Sequence, residues 1–170
     1  ILVAENYEQA MALYQQYADY LFGIISDTRY PKNGRLTADA GLTFLSEVRK
    51  AIFDLPVLLI SNESANRELA KQIPATFLDK NSDTLMAELH RFFLNCLGFG
   101  DFIFRRPGGS EIIRAANLKA LEAILPQVPD ESLLYHATRN RFSNWIMARG
   151  EIALASRLRK ARAADFTGVD

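Results

Sequence analysis

Apolar positions fall into two alternating patterns over the first half of the chain. Short continuous runs at residues 1–4, 21–26, 57–60 and 75–78 are bounded by polar or turn residues, which predicts buried strands. Between them apolar residues recur at helical spacing. Ala10, Leu13, Tyr14 and Tyr17 face one way and Glu8, Gln9, Gln15 and Gln16 the other, behind a capping Asn6. Leu42, Leu45, Val48 and Ile52 mark a second helix over residues 39–53, and residues 63–72 form a third. Ser82 or Asp83 caps an amphipathic helix that reaches about Asn95. Pro31-Lys32-Asn33-Gly34 is turn chemistry. Strands alternating with helices predict an α/β fold, a doubly wound parallel sheet with right-handed crossovers. Because the first four residues already read as strand, with no methionine or lead-in, the chain is expected to be part of a longer one.

Beyond Leu97 the pattern changes. Gly98-Phe99-Gly100 breaks the helix, and the stretches 101–106 and 110–114 flank Pro107-Gly108-Gly109 as a β-hairpin. Asn117 caps a helix to about Leu125, and Pro126 and Pro129 interrupt. Asp130 then opens further helix, with Leu133, Leu134, Ala137, Trp145, Ile146, Ile152, Leu154 and Leu158 as apolar faces and Gly150 as a kink or end. Residues 1–96 are therefore expected to form an α/β domain, and residues 97–170 a small α+β extension.

Composition narrows the function classes. The net charge of zero over 170 residues supplies no global field toward nucleic acid or anionic lipid. Cys96 is the one cysteine, which excludes a disulfide framework within the chain. No apolar run approaches the ~20 residues needed to span a bilayer, and no secretory signal is present. A cytoplasmic protein without a membrane partner is expected. Arg139, Arg141, Arg149, Arg157, Arg159, Lys160 and Arg162 invite a helix–turn–helix reading over residues 132–162. Positive charge toward helix C-termini is ordinary dipole compensation, however, and the preceding hairpin fits no DNA-binding module, so DNA is not the expected partner. No phosphate-cradling glycine loop and no His/Cys/Asp cluster with metal-ligand spacing occurs. His90, near Met86 and Phe93, reads as structural or partner-facing. His136, at helical spacing from Asn140, Asn144 and Trp145, reads as a buried hydrogen-bonded histidine.

The candidate chemistry lies at the strand ends. Read alone, Asp27 is a strand-end acid capping a turn. The later strands also run out into polar residues, Ser61 and Lys80, and parallel neighbours bring their carboxyl ends together. An acid, a hydroxyl and an amine should therefore converge at one edge.

These residues resemble the receiver domain of response regulators over residues 1–96. Four elements carry the resemblance in order. They are Ala4-Glu5-Asn6 with Glu8-Gln9-Ala10, Asp27-Thr28-Arg29-Tyr30-Pro31, Leu55-Pro56-Val57-Leu58-Leu59-Ile60-Ser61, and Phe77-Leu78-Asp79-Lys80. The resemblance implies a flavodoxin-like sheet in which Asp27 is the phosphoryl-accepting nucleophile. It implies that Lys80 reaches the phosphoryl group as a point charge, that Ser61 donates to a phosphoryl oxygen, and that Phe77 is the aromatic switch following that hydroxyl. Magnesium would be bound by Asp27, the backbone carbonyl at Arg29 and an acidic pair. The implied partners are a histidine kinase or other phosphodonor and an attached output domain, with a second copy of the chain as a further candidate.

Three departures accompany it. The acidic pair belongs at the end of the family's first strand, and the 22 positions from Glu5 to Asp27 leave room for only one helix and one strand, so the first βα unit is missing. Lys80 is followed by Asn81 where receivers have proline, and the stretch 31–41 is longer than theirs. The site is therefore expected to bind Mg²⁺ only if that pair is supplied. A pseudo-receiver that docks partners without phosphorylation is the alternative.

The extension carries a second resemblance. Gly98-Phe99-Gly100-Asp101-Phe102, Asp130-Glu131-Ser132-Leu133-Leu134-Tyr135-His136 and Asn140-Arg141-Phe142-Ser143-Asn144-Trp145 resemble a segment of phosphoenolpyruvate synthase or pyruvate, phosphate dikinase-like proteins. It implies a regulatory region of a phosphotransferase whose catalytic machinery lies elsewhere. The stretch itself shows no substrate pocket.

Overall fold

A computed structural model describes residues 1–52 and 55–161. The chain divides into two compact units, Ile1–Phe92 and Phe93–Asp170. The first contains α1 (Tyr7–Tyr17), β1 (Ile24–Asp27), β2 (Tyr30–Lys32), β3 (Arg35–Thr37), α2 (Ala40–Ala51), β4 (Val57–Ser61), α3 (Asn66–Gln72) and β5 (Thr76–Asp79). Helix α4 (Leu85–Asn95) carries the division. The second unit contains β6 (Phe102–Arg105), β7 (Glu111–Ala115), α5 (Leu118–Ile124), α6 (Asp130–Ala137), α7 (Arg141–Met147) and α8 (Ile152–Lys160). Phe53 and Arg162 lie outside the described residues. Among the described residues no helix is long and apolar enough to cross a membrane.

The first unit is mixed α/β around a three-stranded parallel sheet in the order β1-β4-β5. Strand β4, Val-Leu-Leu-Ile-Ser, is apolar on both faces because it is central. Val57 and Leu59 of β4 join Phe77 of β5 on one face, where Tyr14 of α1, Phe44, Leu45 and Val48 of α2, and Ala70 of α3 complete the core. Each of the Val, Leu and Phe side chains contributes about 1.5–3 kcal/mol on burial. The Tyr7 and Tyr14 rings meet Phe44 edge-on at 6.4 and 6.3 Å between centroids.

Three segments differ from the sequence expectation. Residues 1–4 form no strand; Ile1, Leu2 and Val3 are exposed and pair with no described strand. A four-residue apolar run acquires strand geometry only where a neighbouring strand takes its backbone hydrogen bonds, and none does here. Strand β1 begins at Ile24, because a single 3-10 turn at Ala18–Tyr20 and Gly23 occupy the residues before it. The stretch 31–41 is largely a second hairpin. Its two-residue turn places Asn33 and Gly34 at φ 52° and 71°, the left-handed pair that Asn-Gly favours in hairpin turns. Glu8 accepts from the Asn33 amide at 2.9 Å and Lys32 lies 4.5 Å over the Tyr7 ring, which fastens the hairpin to α1.

The second unit has an antiparallel β6–β7 pair with an irregularity at Phe104/Arg105, followed by helices. The hairpin and the Asn117-capped helix α5 lie where the sequence placed them. Phe102 packs against Phe104, Phe142, Trp145 and His136 with centroids 4.7–5.6 Å away. Around this cluster, side chains hold backbone. Ser132 and His136, one turn apart on α6, bracket Arg105: the Ser132 hydroxyl donates to its carbonyl and its amide donates to His136 Nε2, both at 2.9 Å. Trp145 Nε1 donates to the Gly100 carbonyl at 2.8 Å, and Arg149, stacked 3.2 Å over the Trp145 ring, donates to the carbonyls of Gly98 and Gly100. Gly98, at φ 83°, passes so close that a Cβ would lie 2.8 Å from Trp145 Cα. The Gly-Phe-Gly, Ser-His and Asn-Trp motifs, chemically mute in the sequence, are thus the fasteners of this unit.

Candidate functional site

The sheet register decides which strand-end residues meet. Asp27 pairs with Ile60, and Ile60 with Leu78, so these three project to the same face. Lys80, two residues beyond Leu78, falls on that face as well, and its Nζ binds Asp27 Oδ2 directly. The Lys80 amide donates to the Ser61 carbonyl at 2.8 Å, and the Asn81 side chain donates to the Asn62 carbonyl at 3.1 Å, which fixes the end of β5 against the end of β4. The Asn81 amide also donates to Asp79 Oδ1 at 2.9 Å, a bond that the proline of receivers could not make.

Ser61 has the opposite parity and does not reach Asp27. It is fully buried, and its hydroxyl accepts from the Glu63 amide at 3.1 Å and from Asn66 Nδ2 at 3.0 Å. With both acceptor positions used, its proton is directed to Thr28 Oγ1, 3.1 Å away. Thr28 in turn directs its hydroxyl at Asp27 Oδ1 across a long 3.5 Å. The sequence reading missed Thr28, although the alternation that puts Asp27 on one face puts its successor on the other. The hydroxyl next to the carboxylate is therefore Thr28, backed by Ser61.

Asp27 Oδ1 also accepts from the amides of Thr28 at 2.7 Å and, weakly, Arg29 at 3.4 Å. Burial alone would raise its pKa, but the hydrogen bond and charge of Lys80, with the two amides, reverse this and hold the carboxyl below its ordinary value. Both side chains remain open to solvent, Lys80 at 41% and Asp27 at 40%. The Asp27 backbone is held from behind by α2. The Gly41 amide donates to the Thr28 carbonyl at 3.0 Å, and a Cβ on Gly41 would stand 1.9 Å from the Asp27 carbonyl oxygen. Only glycine allows that approach. In front, the Arg29 guanidinium is paired with Glu63, tying the loop after β1 to the loop after β4.

Phe77 sits in the core, with the Arg67 guanidinium 4.9 Å over its ring. It shares a face with Asp79, the register partner of Ser61, and does not reach the carboxylate's side. His90 is exposed on α4. His136 is buried and hydrogen-bonded, as the sequence reading expects.

The magnesium ion implied by the resemblance would take the Asp27 carboxylate, the Arg29 carbonyl and an acidic pair as its protein ligands. Among the described residues no group of three His, Cys, Asp or Glu could hold a metal ion. Glu63 is paired with Arg29, and both Asp27 oxygens are engaged by Lys80 and by N–H groups. The described residues do not by themselves assemble that ligand set. What they do assemble is one accessible carboxylate with a half-exposed ammonium group on one oxygen and backbone donors on the other.

Comparisons of the chain with protein-family models, with curated proteins and with solved structures return no match.

Proposed function

We propose that the first unit is a receiver-like regulatory module in which Asp27 accepts a phosphoryl group from a histidine kinase or another phosphodonor. The observation that carries this reading is the Asp27–Lys80 pair at the carboxyl edge of a parallel sheet, open to solvent and backed by the Thr28–Ser61 hydroxyl pair. Oδ1 is fixed by amides, so Oδ2 is the attacking atom, released when Lys80 swings on its flexible stem. The Oδ2–P bond forms as the donor's bond to phosphorus breaks. The donor departs with that electron pair and takes a proton from water, leaving an acyl phosphate on Asp27. Lys80 then neutralises the phosphoryl oxygens, and the Thr28 hydroxyl, already within 3.5 Å of Oδ1, turns toward them.

Turning Thr28 removes the acceptor of the Ser61 proton, which disturbs Asn66 at the start of α3 and the face around Phe77. An attached domain would read that face. The resemblance of residues 98–102 and 130–145 supports a phosphotransferase of the phosphoenolpyruvate synthase type as that output. The experiment is treatment of the intact protein with acetyl phosphate and Mg²⁺ followed by intact-mass measurement. One added phosphoryl group on the native protein, and none on Asp27→Asn, is the expected result; no adduct on the native protein overturns the reading.

A second reading, a pseudo-receiver that docks partners without phosphorylation, is favoured by one observation. Among the described residues Asp27 is the sole carboxylate on Lys80, and both its oxygens are already engaged. In that case Asp27→Asn changes partner binding while acetyl phosphate changes nothing.

A further inference from the structure

The second unit carries positive charge that its acids do not balance. Residues 1–92 hold nine Lys and Arg against twelve Asp and Glu, whereas residues 93–170 hold eleven against eight. Several of those arginines are committed. Arg106 pairs with Glu131, Arg114 with Glu111 and Asp101, Arg149 with backbone carbonyls, and Arg159 with Asn144. Arg139 and Arg141 differ. Both are exposed and neither pairs with an acid among the described residues; Arg139 spends one nitrogen, Nη1, on the Tyr135 carbonyl at 3.0 Å, which leaves the rest of its fork open.

Their placement is specific. Asn140 adopts a left-handed backbone, φ 48°, at the joint between α6 and α7, a conformation that non-glycine residues seldom take. The reversal puts its two neighbours over one ring: the guanidinium carbons of Arg139 and Arg141 lie 4.1 and 5.0 Å from the Tyr135 centroid. Each is attracted by the ring, but two cations held within about a nanometre of each other repel. Arg105 adds to the same field. Burial, reinforced by Arg141, Arg105 and Arg139, pushes the neighbouring His136 down to about 4. Because Nε2 accepts from the Arg105 amide, His136 is protonated at Nδ1, and that N–H is buried with no partner among the described residues.

We propose that Arg139 and Arg141, flanking Asn140 on the Tyr135 ring, form a binding site for a small phosphate-type oxyanion, with Arg105 contributing to its field. Two planar guanidinium groups offer forked donors that match a tetrahedral oxyanion, and a multiply charged anion removes the repulsion between them. A single focus favours one small anion over a polynucleotide, which needs basic groups spread along a stripe. The site is independent of the Asp27 chemistry.

The test is a titration of the full chain, ¹⁵N-labelled at arginine, with inorganic phosphate, with glycerol 3-phosphate and with a single-stranded oligonucleotide. Saturable shifts of the Arg139 and Arg141 Nε–H signals with either small phosphate are expected; a response to glycerol 3-phosphate alone identifies an organic phosphate as the source. Arg139→Gln and Arg141→Gln should each weaken binding about tenfold. Arg141→Lys, which keeps the charge and loses the fork, should also weaken it, and Arg35→Gln should leave it unchanged. Absence of shifts at these two arginines in the native chain overturns the proposal whatever the variants do. So does undiminished binding by the double variant, or binding of the oligonucleotide alone.

Discussion

In residues 1–92 the charged pair of interest stands at strand ends, half in solvent, and is held from behind by backbone. In residues 93–161 the corresponding groups lie inside an aromatic cluster and themselves hold backbone. Asp27 and Lys80 illustrate the first arrangement: two open side chains whose positions come from sheet register and from the close approach of Gly41. Ser132, His136, Trp145 and Arg149 illustrate the second, each bound to a main-chain amide or carbonyl of β6 or of the glycines before it. A side chain supported by backbone is free to change partner; one that supports backbone is not. The first unit is therefore the place to look for a switch, and the second for a fixed surface.

The sharpest way to break this contrast is at its supports. Gly41→Ala drives a methyl into the Asp27 carbonyl, and the first unit should lose about 3 kcal/mol or more on denaturant unfolding. Gly108→Ala, where a Cβ meets nothing, is the neutral control for backbone substitution in the second unit.

Acid should expose the second unit's dependence on His136. Folding favours the neutral imidazole, so the stabilisation is complete above the unfolded-state value of 6.5. It is lost as pH falls from there toward about 4, by about 3 kcal/mol in all. Protonation also removes the acceptor for the Arg105 amide. A pH series of thermal unfolding should show this decline, and His136→Gln should flatten it. Asp27, whose folded value is depressed, adds a loss of the same sign at lower pH, through the ordinary carboxylate range; Asp27→Asn separates the two.

Smaller effects test the hydroxyl pair. Thr28→Val leaves the Ser61 proton without an acceptor and should cost about 1–2 kcal/mol, with Thr28→Ser restoring most of it. Arg29→Ala breaks an ion pair whose partners are both half exposed, and should change stability by no more than about 0.5 kcal/mol.

Much of this was legible in the sequence for a physical reason. The runs that became β4 and β5 have neighbours within the chain to pair with, so pattern and structure agree. Residues 1–4 carry an equally good strand pattern and fail, because pairing is a property of the neighbour and not of the run. Asp27 and Lys80 were legible because strand ends align in parallel sheets. The place of Ser61 was not, since it depends on a one-residue parity that only the register fixes. The Asn33-Gly34 turn was visible as turn chemistry, but its flanking strands are three residues each, too short for alternation to show. Nothing in the sequence indicated that Gly98 and Trp145, forty-seven positions apart, would touch.

The proposed chemistry of the first unit requires that Asp27, and no other residue, takes the phosphoryl group. The direct measurement is borohydride reduction of the intact protein after acetyl phosphate treatment, followed by peptide mapping. An acyl phosphate at Asp27 is reduced to the alcohol, so homoserine is expected at position 27, absent from the untreated protein. A phosphoryl group mapped elsewhere, or an unmodified aspartate at position 27, would contradict it.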